Sequence, residues 1–426
     1  MAVRVEAETR KIAVVAATIG NFVEWYDFIV YGYFAAVIGA LFFPSSDPLA
    51  SIAATFAVFG VSFVVRPLGA LVVGSYGDRI GRRGTLAVVV LLMSGATFLI
   101  GAAPTYAQVG ILAPIILAFA RALQGFSAGG EFGGATSFMI EYAPEGRRGL
   151  YGSWQAFTQG VAAGVGVTLG VVLSSALPEE AFTAWGWRIP FLIALPFGLI
   201  GLYLRLKLED TPHFKAVLET REVEAAPLAE TIRSHGADIL KVIGTIVFGT
   251  ALTYLLIYLP TYSQTVLGLS RSQALAADLI GILALLIVCP ASAVLSERTG
   301  RKAFMVGPAV GTAVLALPIF WLLQGSLPAV VLAHVCVGGL IGLFGGAYPA
   351  AFSELFPTNV RYSSLSLGYS VSVSIFGGFA PLIFTYLLQQ TGNPISPAFY
   401  ILAAGIISVV AALTIAETAG KPLPDF

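Results

Sequence analysis

Glu24 and Asp27 stand three residues apart in the first long apolar stretch of the chain, and Arg121 stands in the fourth. A charge at mid-depth in such a segment costs several kcal/mol unless it is paired or reached by water, so each is a candidate functional group. Helical spacing groups Glu24 and Asp27 on one face with Asn21 and Tyr31. Asp27 lies about 15 residues into its stretch and Arg121 about 14 into its own. At ~1.5 Å per residue, two oppositely directed helices would hold them at matching depth. The chemistry this predicts is proton coupling. Asp27 or Glu24 takes a proton on one side and releases it on the other, while Arg121 stays charged as the counter-ion. A static ion pair is the plainer alternative.

Arg66, in the second apolar stretch, can bind a carboxylate, either a substrate's or that of Glu131 in the fourth. The aromatic candidates for a binding site are Trp25, Tyr31, Tyr258, Tyr262 and Tyr369, with Tyr26, Trp154 and Tyr254 behind them. Tyr258 leads, being four residues from both Tyr254 and Tyr262 and close to Pro260. Aromatic faces hold quaternary ammonium groups with about 2 kcal/mol or more when desolvated. Packing and interfacial anchoring are the commoner uses of such residues in membranes. Cys289 and Cys336 make neither a zinc spacing nor a disulfide framework, and His213, His235 and His334 are scattered, so no chemistry is assigned to them. No cofactor or metal is expected.

The elements that must position these groups are membrane helices. Of 426 residues, 57% are hydrophobic and 11% charged, against about 25% charged in soluble domains; mean hydropathy is +0.87. An integral membrane protein follows, and a net charge of zero without charged tails argues against a nucleic-acid partner. The basic N-terminus has a signal peptide's outline. Its apolar run is too long, holds Glu24 and Asp27 and lacks a small-residue cleavage site, so it reads as a retained first helix.

Spanning takes about 20 apolar residues. Twelve such runs can be drawn, at about 12–42, 49–76, 84–104, 107–141, 150–177, 188–208, 238–266, 272–295, 303–324, 328–352, 362–388 and 396–416. The polar stretch 209–237 divides them into an N-terminal six-helix bundle, 1–208, and a C-terminal one, 238–426. Of 23 Lys and Arg, all but Arg66, Arg121, Arg188 and Arg271 fall on the side holding both termini and that central loop. The positive-inside rule makes this side the cytoplasm.

The halves repeat one another. Gly77-Asp78-Arg79-Ile80-Gly81-Arg82-Arg83 follows the second run, and Ser296-Glu297-Arg298-Thr299-Gly300-Arg301-Lys302 follows the eighth. Glu141, Pro144 and Arg148 after the fourth run match Glu354, Pro357 and Arg361 after the tenth in spacing. Matched clusters half a chain apart indicate a parallel duplication. Asp78 and Glu297 can accept from helix N-termini or arginines of the neighbouring bundle. Asp78, Arg79, Arg82, Glu131, Glu141, Arg148, Glu297, Arg298, Arg301, Glu354 and Arg361 are therefore expected to form latches that gate, not to touch substrate.

With these loops the chain resembles the major facilitator superfamily. Further strings make it similar to the metabolite:proton symporter family: Gly20-Asn21-Phe22-Val23-Glu24-Trp25-Tyr26-Asp27-Phe28, Arg66-Pro67-Leu68-Gly69, the segment from Arg121 to Gly134, Trp185-Gly186-Trp187-Arg188-Ile189-Pro190-Phe191 and Phe356-Pro357-Thr358-Asn359-Val360-Arg361-Tyr362. The segments Ile193 to Arg205, Leu208 to Pro212 and Glu417 to Leu423 look most like those of proline/glycine-betaine symporters. The resemblance implies an all-α integral membrane fold, twelve transmembrane helices in two pseudo-symmetric six-helix bundles. It also implies proton-coupled import of a small carboxylate-bearing metabolite by alternating access in a bacterial cytoplasmic membrane. A zwitterionic osmolyte such as proline or glycine betaine comes first; an organic acid of the 2-oxoglutarate, citrate or shikimate type is the alternative.

No Walker loop is present and the central loop is too short for a nucleotide-binding domain, which argues against ATP drive. The reading is of a carrier, not an enzyme. A channel or uncoupled facilitator is the competing class, but duplicated halves suit a carrier and a facilitator has no use for titrating carboxylates. A membrane sensor would want a soluble output domain. The expected partners are the substrate, protons and the lipid bilayer, with a monomer as the working unit. A dicarboxylate calls for another basic residue deep in a span, and none is found, which favours the zwitterion.

Overall fold

The computed structural model describes residues 7–80, 82–128, 131–141, 143–144, 146–207 and 228–424. Side chains are described at all of these except 7–17, 70–71, 73–80, 82–87, 131–132, 134, 138, 204–207, 228–232 and 358–359. The described residues form helices joined by short connections. In the N-terminal half these are α1 (Ala7–Tyr33, continued as Ala35–Phe42), α2 (Pro48–Ile80), α3 (Arg82–Ala102), α4 (Leu112–Ser127, continued as Glu131–Glu141), α5 (Arg148–Ala176) and α6 (Ile189–Lys207). In the C-terminal half they are α7 (Leu228–Thr265), α8 (Arg271–Thr299), α9 (Ala303–Leu323), α10 (Leu327–Gly345, continued as Tyr348–Ser353), α11 (Thr358–Ser372, continued as Ala380–Thr391) and α12 (Pro397–Thr414).

Among the described residues, nine helices are long and apolar enough to cross a membrane, and the bent α1 pair makes a tenth. Val88–Ala102 and Leu112–Ser127 are shorter apolar helices in the third and fourth positions. Each of the twelve expected runs thus carries an apolar helix. The fourth run, expected unbroken over 107–141, is divided between two helices, and the first bends by 62° beside Phe34. The seventh begins ten residues before its expected start at 238, at Leu228, while 208–227 of the central stretch lie outside the described residues.

Packing repeats with a shift of six helices. α1 packs on α5 as α7 does on α11; α2 packs on α4 as α8 does on α10; α3 packs on α6 as α9 does on α12. The halves meet where α5 packs on α8 and on the second part of α10, where the second part of α4 packs on α11, where α2 packs on the second part of α11, and where α1 packs on α7. At the last seam Gly32 has no side chain to spare: a Cβ there would run into the Ile257 side chain. Beside it α11 passes through a π-helical turn at Val373–Gly377, the kind of bulge that often marks functional sites.

Gly32→Val should lower the stability of the purified protein by about 1–3 kcal/mol, the usual range for overpacking. Thermal unfolding in detergent reads it; an unchanged midpoint would show that α1 and α7 are not held this closely.

Candidate functional site

The residues expected to share one face of α1 turn to different neighbours. Asn21 Nδ2 donates to the Gln155 carbonyl (3.0 Å) and to Thr158 Oγ1 (2.6 Å) on α5. Glu24 Oε1 accepts from Arg66 Nη2 of α2 at 3.3 Å. Asp27, fully buried, accepts on Oδ2 from Ser94 Oγ of α3 at 3.2 Å, and its Oδ1 has no hydrogen-bond partner among the described residues. The Tyr31 hydroxyl donates to the Thr55 carbonyl at 3.2 Å. Residues three apart differ by about 60° around a helix, enough to send two carboxylates to separate neighbours.

Arg121 is fully buried and meets no carboxylate among the described residues. Its Nη1 donates to Gln124 Oε1 (2.7 Å) and its Nη2 to the Phe59 carbonyl (3.4 Å). The guanidinium lies over the rings of Phe28, Tyr31 and Phe59 at 4.7, 4.7 and 4.4 Å. Gln124 Nε2 in turn donates to Thr97 Oγ1 (2.6 Å) and to the Asp27 carbonyl (3.3 Å). Arg121 therefore reaches Asp27 through Gln124 and its backbone, not as a direct counter-ion. A carboxylate with one oxygen held and the other unengaged is a group that can take a proton.

Between the halves lies a cavity of about 60 Å³; at 10–15 Å³ for each water on this measure, that is room for about four to six. Trp25, Ile29 and Tyr33 line it from α1, and Gln159 lines it from α5. Thr250, Thr253 and Tyr254 line it from α7, and Phe344, Tyr348 and Tyr369 from α10 and α11. The lining carries no Asp, Glu, Lys, Arg or His. Two of the lining tyrosines, Tyr254 and Tyr369, lie within electrostatic reach of both Arg66 and Glu24.

Of the sequence candidates, Trp25, Tyr254 and Tyr369 line the cavity; Tyr26, Tyr31, Trp154, Tyr258, Tyr262 and Arg66 do not. The Tyr258 hydroxyl meets Thr385 Oγ1 (3.1 Å) in a cluster with Phe56 and Phe384. Tyr262 donates to the Pro394 carbonyl (2.8 Å) and accepts from Gln324 (2.8 Å). Tyr33, Tyr348 and Phe344 were not singled out. For Tyr33 a signal exists, since Trp25, Ile29 and Tyr33 recur every four residues and mark a helix face.

Contacts between the halves cross both ends of the helices. On the face where α12 ends, Arg361 Nη1 of α11 donates to Glu141 Oε1 of α4 at 2.8 Å and its Nε to the Ser353 carbonyl at 2.9 Å. Glu297 Oε1 accepts from the Leu150 N–H (3.2 Å) in the first turn of α5. Glu354 stands between Arg301 (3.5 Å) and Arg148 (3.8 Å). Arg298 is exposed and forms no ion pair among the described residues. Asp78, Arg79, Arg82 and Glu131 lie outside the described side chains, so the pairing of Arg66 with Glu131 weighed from sequence does too.

The segment after α12 straps this face. Glu417 accepts from the N–H groups of Arg301 (2.8 Å), Lys302 (3.0 Å), Thr418 (3.0 Å) and Ala419 (2.9 Å). Thr418 Oγ1 donates to Glu354 (2.6 Å), and Arg148 of the other half donates to the Lys421 carbonyl (2.8 Å). On the opposite face Arg271 grips Glu179 with two hydrogen bonds, 2.9 and 3.0 Å, and lies over Phe182 at 4.1 Å. Gln389 reaches Asp47 at 3.4 Å.

Partial burial works to raise the Glu417 carboxyl, but the four N–H donors outweigh it and hold it below the usual glutamate range. A depressed folded value means that the strap's contribution is present at neutral pH and is lost as pH falls through that value. Limited proteolysis should therefore find the C-terminal segment cut faster in Glu417→Gln at neutral pH. In the unsubstituted protein faster cutting should appear only on acidification below the ordinary glutamate range. Equal cutting rates would remove Glu417 from the strap.

Residues 12–246 and 239–426 match the family described as sugar (and other) transporter. The chain is 39% identical over 425 residues to the glycine betaine/proline/ectoine/pipecolic acid transporter of Dickeya dadantii, covering 96% of this chain and 84% of that one. It is 37% identical over 425 residues to the proline/betaine transporter of Escherichia coli K12, with the same coverage. It is 36% identical over 404 residues to the citrate-proton symporter of Klebsiella pneumoniae, covering 94% and 90%. Its fold follows that of a D-xylose-proton symporter with a TM-score of 0.76 at 18% identity, over 97% of this chain and 99% of that one. With repeated halves, a central cavity and these relatives, the chain belongs to the sugar (and other) transporter family of the major facilitator superfamily, as a multi-pass membrane carrier of a small molecule.

Proposed function

We propose that this carrier imports a small zwitterionic osmolyte, of the proline or glycine-betaine type, together with protons. The observation that carries the reading is the cavity's chemistry: aromatic faces and neutral polar groups inside, with Arg66 and Glu24 within electrostatic reach of two of the lining tyrosines. An ammonium group gains from the faces of Trp25, Tyr254 and Tyr369. The substrate carboxylate competes with Glu24 for Arg66, freeing Glu24 as binding proceeds. Asp27 is the proton acceptor, and Gln124 relays its state to Arg121. Relatives named for proline and betaine support the choice. A citrate-type anion, as in the name of another relative, brings several negative charges into a lining that offers no cation, so it is the second reading.

Transport proceeds by rocking of two units, 1–208 and 238–426, about the cavity, with 209–237 as the connecting segment. The basic face is cytoplasmic in a bacterial cytoplasmic membrane. The working unit is a monomer, whose two halves both line the cavity.

Proteoliposomes with an inward proton gradient should accumulate labelled proline or betaine and lose it to a protonophore. Asp27→Asn should abolish accumulation while sparing exchange. Trp25→Ala should weaken binding by about 2 kcal/mol, roughly thirtyfold in affinity. Uptake of citrate in place of both zwitterions would establish the second reading, and uptake indifferent to the gradient would make the protein a facilitator.

A further inference from the structure

Asp278 of α8 and His334 of α10 are fully buried and face each other, Oδ1 to Nε2, at 3.9 Å. Neither Asp278 oxygen nor His334 Nε2 has a hydrogen-bond partner among the described residues. The other imidazole nitrogen is fixed: Nδ1 lies 2.8 Å from the Val330 carbonyl, which only accepts, so Nδ1 carries its hydrogen. Nε2 is left as the atom that gains or loses a proton, aimed at a carboxylate. Gly281 and Gly338 let the two helices come this close. A Cβ on Gly338 would land on the Gly281 carbonyl, and one on Gly281 on the His334 backbone.

The pair is joined to the cavity and to the other half by one residue. Tyr33 of α1 lines the cavity and turns its hydroxyl to Asp278 without reaching hydrogen-bond geometry. Ile282, one turn beyond Asp278, lines the same cavity. Asp278 comes seven residues after Arg271, about 10 Å along the helix at ~1.5 Å per residue. It therefore lies beneath the Arg271–Glu179 closure.

We propose that Asp278 and His334 form a second proton site, in the C-terminal half, which Tyr33 seals while the halves are closed on the Arg271 face. With one proton the pair is neutral whichever atom holds it. A second proton makes it cationic and the loss of both makes it anionic. When that face opens, α1 parts from α8, Tyr33 withdraws and the pair meets water, from which a proton adds to the carboxylate or to Nε2. Closure brings the phenol back and stops exchange. The groups facing Asp278 are His334 from α10 and Tyr33 from α1. Of the other helices packed on α8, α9 carries no charged residue, α5 only Arg148 at its start, and α7 none after Lys241. α7 also carries the tyrosines 254, 258 and 262.

The proposal assumes only that the halves separate. The test reads the pair directly, with purified protein and no substrate. Infrared difference spectra taken across a pH titration should contain a carboxyl band that Asp278→Asn loses and His334→Gln displaces. Transport then gives the second readout. Asp278→Asn should move the dependence of uptake on external pH while keeping exchange at zero gradient, and Tyr33→Phe should move the same dependence. Should Asp278→Asn fail to fold, His334→Gln and Tyr33→Phe carry the same two readouts. Asp278→Asn spectra that superimpose on those of the unsubstituted protein, or His334→Gln and Tyr33→Phe leaving band and pH profile in place, would overturn the proposal. Uptake that ignores pH in the unsubstituted protein, alongside an Asp278 band that titrates, would instead sink the symport reading.

Discussion

A guanidinium buried at bilayer depth sets the terms for the N-terminal half. Arg121 is fully enclosed, and a bare charge there costs several kcal/mol. Three ring faces at 4.4–4.7 Å, each worth about 2 kcal/mol when desolvated, offset a cost of that size. Gln124 and the Phe59 carbonyl take its N–H groups. Stabilised this way, Arg121 needs no carboxylate, and Asp27 lies on Gln124's other side with one carboxyl oxygen unengaged among the described residues. Phe59 also packs edge-on against Tyr254 of α7 at 5.9 Å. The cation's enclosure is thereby continuous with the cavity wall.

The two faces are closed by unlike means. Where α12 ends, buried Arg361 and Arg301, the start of α5 and the strap bearing Glu417 interlock across the halves. The opposite closure rests on Arg271 with Glu179 and on Gln389 with Asp47, all at exposed positions in whole or part. Exposed ion pairs contribute about 0–1 kcal/mol, whereas breaking a buried one leaves a charge uncompensated. The Arg271 face is therefore held by the weaker polar contacts. Gln159 and Tyr369 line the cavity from opposite halves.

The twelve runs and the duplication were legible because both are one-dimensional signals: apolar length, and charged strings recurring half a chain apart. Glu297 accepting from the first turn of α5 is the helix-terminus contact that its loop motif suggested. What sequence left open was direction around each helix. Glu24 and Asp27 were read on one face, and three residues of spacing permit that, yet α2 captures one and α3 the other. Tyr258 and Tyr262 looked like a cage, but their hydroxyls are taken by Thr385 and Pro394. Asp278 passed unnoticed and His334 was set aside as scattered, because 56 residues separate them in the chain and only the Gly281–Gly338 approach unites them.

Proton movement on substrate addition tests symport most directly. Proline or glycine betaine added to proteoliposomes in lightly buffered medium, without any imposed gradient, should make the external medium more alkaline in proportion to the substrate taken up. Substrate uptake with no change in external pH would contradict the coupling.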